Sequence, residues 1–201
     1  MLVRHGVTNT TGKVLPGRAP GLSLSDQGVR QATHAGERLA TLGEVGAIYV
    51  SPLERTRQTA APIAAALGVR PKVNRGLLEC DFGDWTGRSL SQLYKLPEWS
   101  TVQRTPSVFR FPNGESFAEM QQRMITTVSA LAAAHPGERI VCVSHADPIK
   151  AFITWCQGTH LDMFQRCVIS PCSISVVVLS APPMVVTVNS TGSDLSQLKV
   201  S

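Results

Sequence analysis

The chain has 201 residues and carries nineteen Lys and Arg against fourteen Asp and Glu, a formal charge of +5, with 43% hydrophobic and 16% charged residues. That length and apolar content suit one domain with its own core and exclude a disordered acidic or basic tail protein. The mild basic excess, with an isoelectric point near 9.2, suits an anionic ligand, is too dispersed for a nucleic-acid binder, and comes with no apolar run long enough to span a membrane.

In chain order, residues 1–3 read as the end of a buried strand, and Arg4-His5-Gly6 follows at once. Arg4 and His5 also interrupt any leader-like apolar stretch, so no signal peptide is expected. Residues 12–21 include Gly17, Pro16 and Pro20 and read as a loop. Residues 26–42 predict a helix capped by Ser25, with Val29, Ala32, Ala35, Leu39 and Leu42 near one face. A strand over 46–51 leads to Ser51-Pro52, which reads as an N-cap with proline at the first helical position; Gly68 stops that helix after Leu67. A short strand follows at 69–73. From 77 to 115 the periodicity weakens, and a patternless stretch of that length is expected to be functional, such as a lid, or disordered. Phe117, Met120, Met124, Val128 and Leu131 mark an amphipathic helix over 116–134, its methionines in the core. Residues 139–144 predict a buried strand and a helix follows through Trp155; strands at 173–179 and 184–188 meet across Pro182-Pro183.

Strands alternating with helices predict an α/β fold with a mostly parallel sheet. One domain is expected over 1–188, with a lid-like segment at about 81–115 and a polar tail at 189–201. Cys80, Cys142, Cys156, Cys167 and Cys172 are odd in number and form no CxxC pair. Reduced thiols in a cytoplasm are expected, with neither a disulfide framework nor a zinc site.

Ligands in such sheets bind beyond the carboxyl ends of the strands. Three apolar strands end there in polar groups: Val3 before Arg4-His5, Val50 before Ser51 and Arg55, and Val143 before Ser144-His145. Two histidines and two arginines can therefore meet in one crevice. Arginine forks match phosphate oxygens and offset their charge. A neutral imidazole between them can attack phosphorus, which makes His5 the candidate nucleophile, with Gly6 letting the backbone approach a ligand. His145 can donate to a phosphoryl oxygen in the transition state. The leaving oxygen needs a proton, and Glu79 is the candidate acid; as single residues, Asp81, Asp84 and Asp147 are equal alternatives. His34, His135 and His160 read as structural. Trp85 and Trp99 either line a pocket or pin the lid segment.

Four stretches in this order resemble a known family: Leu2-Val3-Arg4-His5-Gly6, residues 51–60 from Ser51-Pro52-Leu53-Glu54-Arg55 to Ala60, residues 78–87 from Leu78-Glu79-Cys80-Asp81 to Gly87, and Val143-Ser144-His145. Together they are similar to the histidine phosphatase superfamily, the phosphoglycerate-mutase-like group, over nearly the whole chain. The resemblance implies a three-layer α/β/α sandwich and a phosphohistidine intermediate. It implies His5 as nucleophile; Arg4, Arg55 and His145 as the rest of the phosphate pocket; and Glu79, rather than Asp81 or Asp84, as proton donor. It also implies Asn9, Arg18 of the Gly17-Arg18 loop and Ala146 as substrate-binding positions. Phe111-Pro112-Asn113-Gly114-Glu115-Ser116 resembles the family's Pro-Gly-Gly-Glu-Ser stretch. Three departures stand out: Asn9 lies closer to His5 than is usual, Asn113 replaces a glycine, and Ala146 replaces the glycine after the second histidine. The stretches 84–88 and 161–166 resemble a bacterial branch labelled probable phosphomutase.

The expected activity is a metal-independent phosphomonoesterase acting on a small phosphorylated metabolite. The alternative is a phosphomutase, such as a cofactor-dependent phosphoglycerate mutase. A mutase would use 2,3-bisphosphoglycerate as a primer and basic groups such as Arg88, Lys95, Arg104 and Arg110 to grip a second anionic group. A non-catalytic phosphate-binding relative is the third reading, and the absence of GxxxxGK[ST] excludes a P-loop kinase. No metal or other cofactor is expected, and no nucleic-acid or membrane partner; a homodimer is compatible with the sequence.

Overall fold

A computed structural model describes residues 1–192. The elements run β1 (Leu2–Arg4), α1 (Asp26–Ala40), β2 (Ala47–Val50), α2 (Glu54–Leu67), β3 (Pro71–Val73), α3 (Leu90–Leu93), α4 (Trp99–Arg104), α5 (Phe117–Ala133), β4 (Ile140–Ser144), α6 (Ala146–Cys156), β5 (Ile174–Val178) and β6 (Met184–Ser190). One six-stranded sheet has the order β3-β2-β4-β1-β5-β6. The first four strands are mutually parallel, while β5 and β6 pair antiparallel at one edge.

Alternating side chains explain the layers. Val3, Ile48, Val50, Val141 and Val143 pack on one face with Ala32, Ala35 and Leu39 of α1 and Ala60 and Ile63 of α2. Leu2, Ala47, Ile140 and Cys142 pack on the other with Met124 and Val128 of α5 and Phe152 and Ile153 of α6. The fold is thus the expected α/β/α sandwich with a mostly parallel sheet. Among the described residues no helix is long and apolar enough to cross a membrane.

Several boundaries differ from expectation for local reasons. Ser25 caps α1, accepting from the Gly28 amide at 3.2 Å. Val29, however, is 51% exposed, because Gly28 faces inward against the Val7 backbone. Leu53, not Ser51, precedes α2, so Pro52 lies before the helix; Gly68 ends it at φ 67°, the left-handed region that glycine tolerates. Pairing with β5 carries β6 to Ser190, two residues into the segment read as tail, whose residues 193–201 lie outside the described ones.

The largest difference concerns the lid-like segment. Residues 81–115 fold into α3, α4 and two short 3-10 turns around a third apolar cluster that includes Phe82, Trp85, Leu93, Val102, Phe109 and Phe111. The Phe111 ring lies 4.9 Å from Phe82, 5.0 Å from Phe109 and 5.1 Å from Phe117 of α5. Trp85 stacks on Trp99 at 6.2 Å and is 4% exposed, so it pins the segment. Asn113, at φ 54°, stands where the chain needs the left-handed region, the one non-glycine role asparagine fills readily. Its amide nitrogen donates to Asp84.

Candidate active site

Adjacent parallel strands end at one edge of the sheet. Arg4 is in register with Ser144, and Val50 with Val143, so His5, Ser51 and His145 emerge side by side. The His5 and His145 rings approach to 5.2 Å between centroids. Arg55, on the first turn of α2, is wholly buried against them.

The hydrogen bonds fix the state of His5. Its Nδ1 lies 2.8 Å from the Gly6 carbonyl, which can only accept, so Nδ1 carries the proton. Nε2 accepts from Arg55 Nε at 3.2 Å and therefore holds the lone pair. Burial, then the charges of Arg55 and Arg4, push the ring's pKa down to about 3, so His5 is neutral near pH 7. The same forces, burial first, hold His145 well below the usual histidine range. Its Nε2 lies 2.8 Å from Ser51 Oγ. That hydroxyl has no other partner among the described residues, and in the tautomer in which it donates to Nε2 the proton sits on His145 Nδ1.

Three donors around His5 lack partners. Arg4 Nε, Arg55 NH1 and His145 Nδ1 are buried and unbonded. Each orphaned donor costs about 1–3 kcal/mol in a folded chain, which marks the place as built for an acceptor from outside. Other donors anchor the arginines: Arg4 NH1 to the Ile169 carbonyl at 2.6 Å and Arg55 NH2 to the Gly17 carbonyl at 2.8 Å. No side chain caps α6, whose first residue is Ala146, so its N-terminal dipole adds to the positive field.

Glu79 stands apart from the other carboxylates. It is 7% exposed, and one oxygen accepts from the Cys80 amide at 2.9 Å. Burial and then the Asp147 charge raise its pKa to about 7, against the pull of Arg55 and Arg4. Asp81 is engaged with Arg18 and the Gly83 amide, Asp84 with Asn113, and Asp147 with Lys150 at 3.6 Å. Glu79 alone among the four is buried, and its raised pKa suits proton exchange near neutrality.

Other expected positions fall outside this cluster. Asn9 is exposed on the turn after Thr8, and no side-chain hydrogen bond joins it to His5 among the described residues. Arg18 directs donors to the Glu79 carbonyl, Asp81 and Glu115. His34 pairs with Glu37, His135 with Tyr49 and Glu138, and His160 with Asp162, all remote structural roles. Gly6 serves helix packing: a Cβ there would come within 2.6 Å of the Gly28 carbonyl oxygen.

Sequence reasoning missed three supports. Ser51 reads as a helix cap, but its partner His145 lies 94 positions away. Thr59 accepts from the Gly6 amide at 3.0 Å and so holds the backbone behind His5. Arg123 looks like a solvated charge on an amphipathic helix, yet it reaches the segment carrying Glu79. No local pattern signals any of them.

A chain of Klebsiella pneumoniae named probable phosphoglycerate mutase GpmB is 33% identical over 202 residues, covering 98% of this chain and 93% of the relative. An uncharacterized protein of Mycobacterium tuberculosis is 34% identical over 164 residues, 80% of this chain and 79% of that one. Among solved structures, phosphoserine phosphatase from Entamoeba histolytica, in complex with 3-phosphoglyceric acid, superposes with a TM-score of 0.85 at 26% identity, covering 96% and 98% of the two chains. Mycobacterial glucosyl-3-phosphoglycerate phosphatase shares the fold, with a TM-score of 0.83 at 22% identity over 94% and 97%. The family profile described as histidine phosphatase superfamily (branch 1) matches residues 1–189, end to end with the sheet and its polar edge, and the chain belongs to that superfamily.

Proposed function

We propose that this protein is a metal-independent phosphomonoesterase that works through a phosphohistidine on a small phosphorylated metabolite. The observation that carries the reading is the set of three buried, unbonded donors, Arg4 Nε, Arg55 NH1 and His145 Nδ1, gathered about the neutral His5. A phosphoryl group is the acceptor with enough oxygens and charge to satisfy them. Two guanidiniums supply the positive charge that a metal supplies elsewhere.

The phosphoryl group displaces the Arg55–His5 contact, and Arg55 turns its donor to a phosphoryl oxygen. His5 Nε2 attacks phosphorus; the P–N bond forms as the P–O bond to the leaving group breaks. Glu79 gives its proton to the departing oxygen. The Nδ1–H bond to the Gly6 carbonyl stabilises the charge that develops on the ring. Water then attacks the phosphorus of phospho-His5 while Glu79 takes its proton; the P–N bond breaks, its electron pair returns to His5 Nε2, and phosphate leaves. A carboxyl poised near 7 serves both half-reactions.

Mutase chemistry is the second reading, favoured by the 33% identical relative named probable phosphoglycerate mutase. Hydrolysis is favoured by how most of the basic residues of the 81–115 segment lie. Lys95 and Arg104 are exposed and Arg110 is bound to Glu119 and the Gly114 carbonyl, which leaves Arg88, half-buried, as the one of the four placed to serve a second anionic group. The test is incubation, with chelator present, with 3-phosphoglycerate, a trace of 2,3-bisphosphoglycerate and separate phosphate esters, each followed by phosphorus NMR. Growth of free phosphate is expected. Conversion of 3- to 2-phosphoglycerate without free phosphate would replace hydrolysis with mutase activity, and dependence on metal would overturn the metal-free mechanism.

A further inference from the structure

Glu115 lies in the Pro-Asn-Gly-Glu-Ser stretch at 112–116, and nothing in the mechanism above uses it. Its carboxylate sits at the centre of a half-buried network of ion pairs. Oε2 accepts from Arg18 NH2 at 2.8 Å, from Arg123 NH2 at 2.9 Å and from the Asp81 amide at 3.0 Å; Oε1 accepts from Arg123 Nε at 2.8 Å. Those contacts, the Arg123 hydrogen bond foremost, outweigh burial and hold its carboxyl below the usual carboxylate range.

The two arginines turn their other donors on the backbone around Glu79. Arg123 NH1 donates to the Gly76 and Leu78 carbonyls at 2.8 and 2.9 Å, and its NH2 reaches the Glu79 carbonyl at 3.3 Å. Arg18 Nε donates to that same Glu79 carbonyl at 2.8 Å. Arg123 thereby uses all five of its N–H groups within the protein. Residues 76–81 contain no strand or α-helix, only a 3-10 turn over Arg75–Leu77. The Leu77 carbonyl also accepts from Ser144 Oγ and the Asp81 carbonyl from the Glu115 amide, but among the described residues the Gly76, Leu78 and Glu79 carbonyls are held by the two arginines alone.

We infer that Glu115, with Arg18 and Arg123, is a positioning device for the acid: it locks the backbone of Glu79 so that the carboxyl faces the leaving oxygen. The inference rests on the proposed phosphatase reading and deepens it. Arg18, expected as a substrate contact, acts here on the acid's own main chain.

The prediction separates positioning of an acid from general support of the fold. Protonation matters for an alkyl phosphate, whose leaving group is a poor one, and little for an aryl phosphate with an acidic phenol. Glu115→Gln should slow phosphoenzyme formation from an alkyl phosphate by about 10- to 100-fold and from a nitrophenyl phosphate by less than about threefold. In a Glu79→Gln background, Glu115→Gln should cause no further leaving-group-dependent loss, because the group it positions has gone. Equal slowing of both esters, or full additivity of the two substitutions, would overturn the inference. If Glu115→Gln does not fold, Arg123→Lys, which keeps the charge but loses the fork, carries the same test with the same outcomes. A wild-type protein that hydrolyses neither ester would instead strike at the phosphatase reading itself.

Discussion

The two halves of the candidate site are built on opposite plans. The phosphate half stands on the ends of β1, β2 and β4 and keeps buried donors without partners. The acid half hangs on an irregular segment, and there Arg123 fills its hydrogen-bonding capacity inside the protein. Strand ends need no side chains to hold them, because the ladder and two apolar faces already do; their polar groups are left free for a ligand. An irregular segment has no ladder, so charged side chains take over the holding. The phosphate half should therefore be insensitive to the leaving group, and the acid half should read it.

The largest effects test the first plan. His5→Ala should lower turnover by more than about 10⁴-fold for every ester, since removing a nucleophile removes the covalent route. The protein should still fold, because a buried imidazole whose pKa is held near 3 contributes no charge to stability at neutral pH. Full activity in the variant, or absence of a His5-dependent phosphoenzyme in rapid-quench experiments, would break the scheme. Arg55→Lys should cost about 10²–10³-fold in kcat, again equally for alkyl and aryl esters. A lysine keeps the charge but cannot aim one nitrogen at Gly17 and another at the phosphoryl group. A loss that grows with the leaving group's pKa would place Arg55 in the acid half.

The same division governs what could be read from sequence. Val3-Arg4-His5, Val50-Ser51 and Val143-Ser144-His145 each show an apolar strand switching to polar groups, a signal with a period and an end. The acid half has no period. Phe82, Trp85, Phe109 and Phe111 reach one core through short helices and 3-10 turns, so their spacing looks like that of a loop. Glu79 was separable from Asp81 and Asp84 only by family resemblance; burial separates them physically, and burial in an irregular segment cannot be read from the letters alone. Ser51 was legible as a residue but misassigned, because Ser-Pro is a local signal and the hydroxyl's partner is not local. Asn9, carried over at shortened spacing, stays exposed.

A pH profile of the first half-reaction sharpens the acid half. Glu79 must be protonated to donate, and its pKa stands near 7, so phosphoenzyme formation from alkyl phosphates should fall about tenfold per pH unit above that value. His5 should set no limb between pH 5 and 9, being neutral throughout. Glu79→Gln should abolish the alkaline limb; a limb that survives belongs to another group. Stability carries the opposite imprint from the two residues. His5, depressed from 6.5, gives stability that is lost as pH falls from that value toward 3. Glu79, raised from 4.5, gives stability present below 4.5 and lost as pH climbs toward 7. Matched Glu79→Gln and wild-type denaturation curves should therefore converge at low pH and separate near neutrality in favour of the variant. Parallel curves would mean that the carboxyl is not held in its raised state.

The smallest effect falls on the joint between the strands and their ligand. Ser51 touches no substrate in this scheme; it sets which nitrogen of His145 carries the proton. With the hydroxyl donating to Nε2, the proton resides on Nδ1, the buried atom that lacks a partner. Ser51→Ala frees the ring to place its proton on either nitrogen, and the fraction with Nδ1 bare presents a lone pair to an anion. The loss of one hydrogen bond, about 1 kcal/mol, corresponds to a reduction of about fivefold in kcat/KM, equal for alkyl and aryl esters. Nitrogen-15 NMR of the His145 ring should show Nδ1 protonated in the wild type and a mixture in Ser51→Ala, while Ser51→Thr, which restores a hydroxyl, should recover the wild-type tautomer. A ring that keeps Nδ1 protonated without the hydroxyl would move control of the tautomer from Ser51 to the field of the phosphate pocket itself.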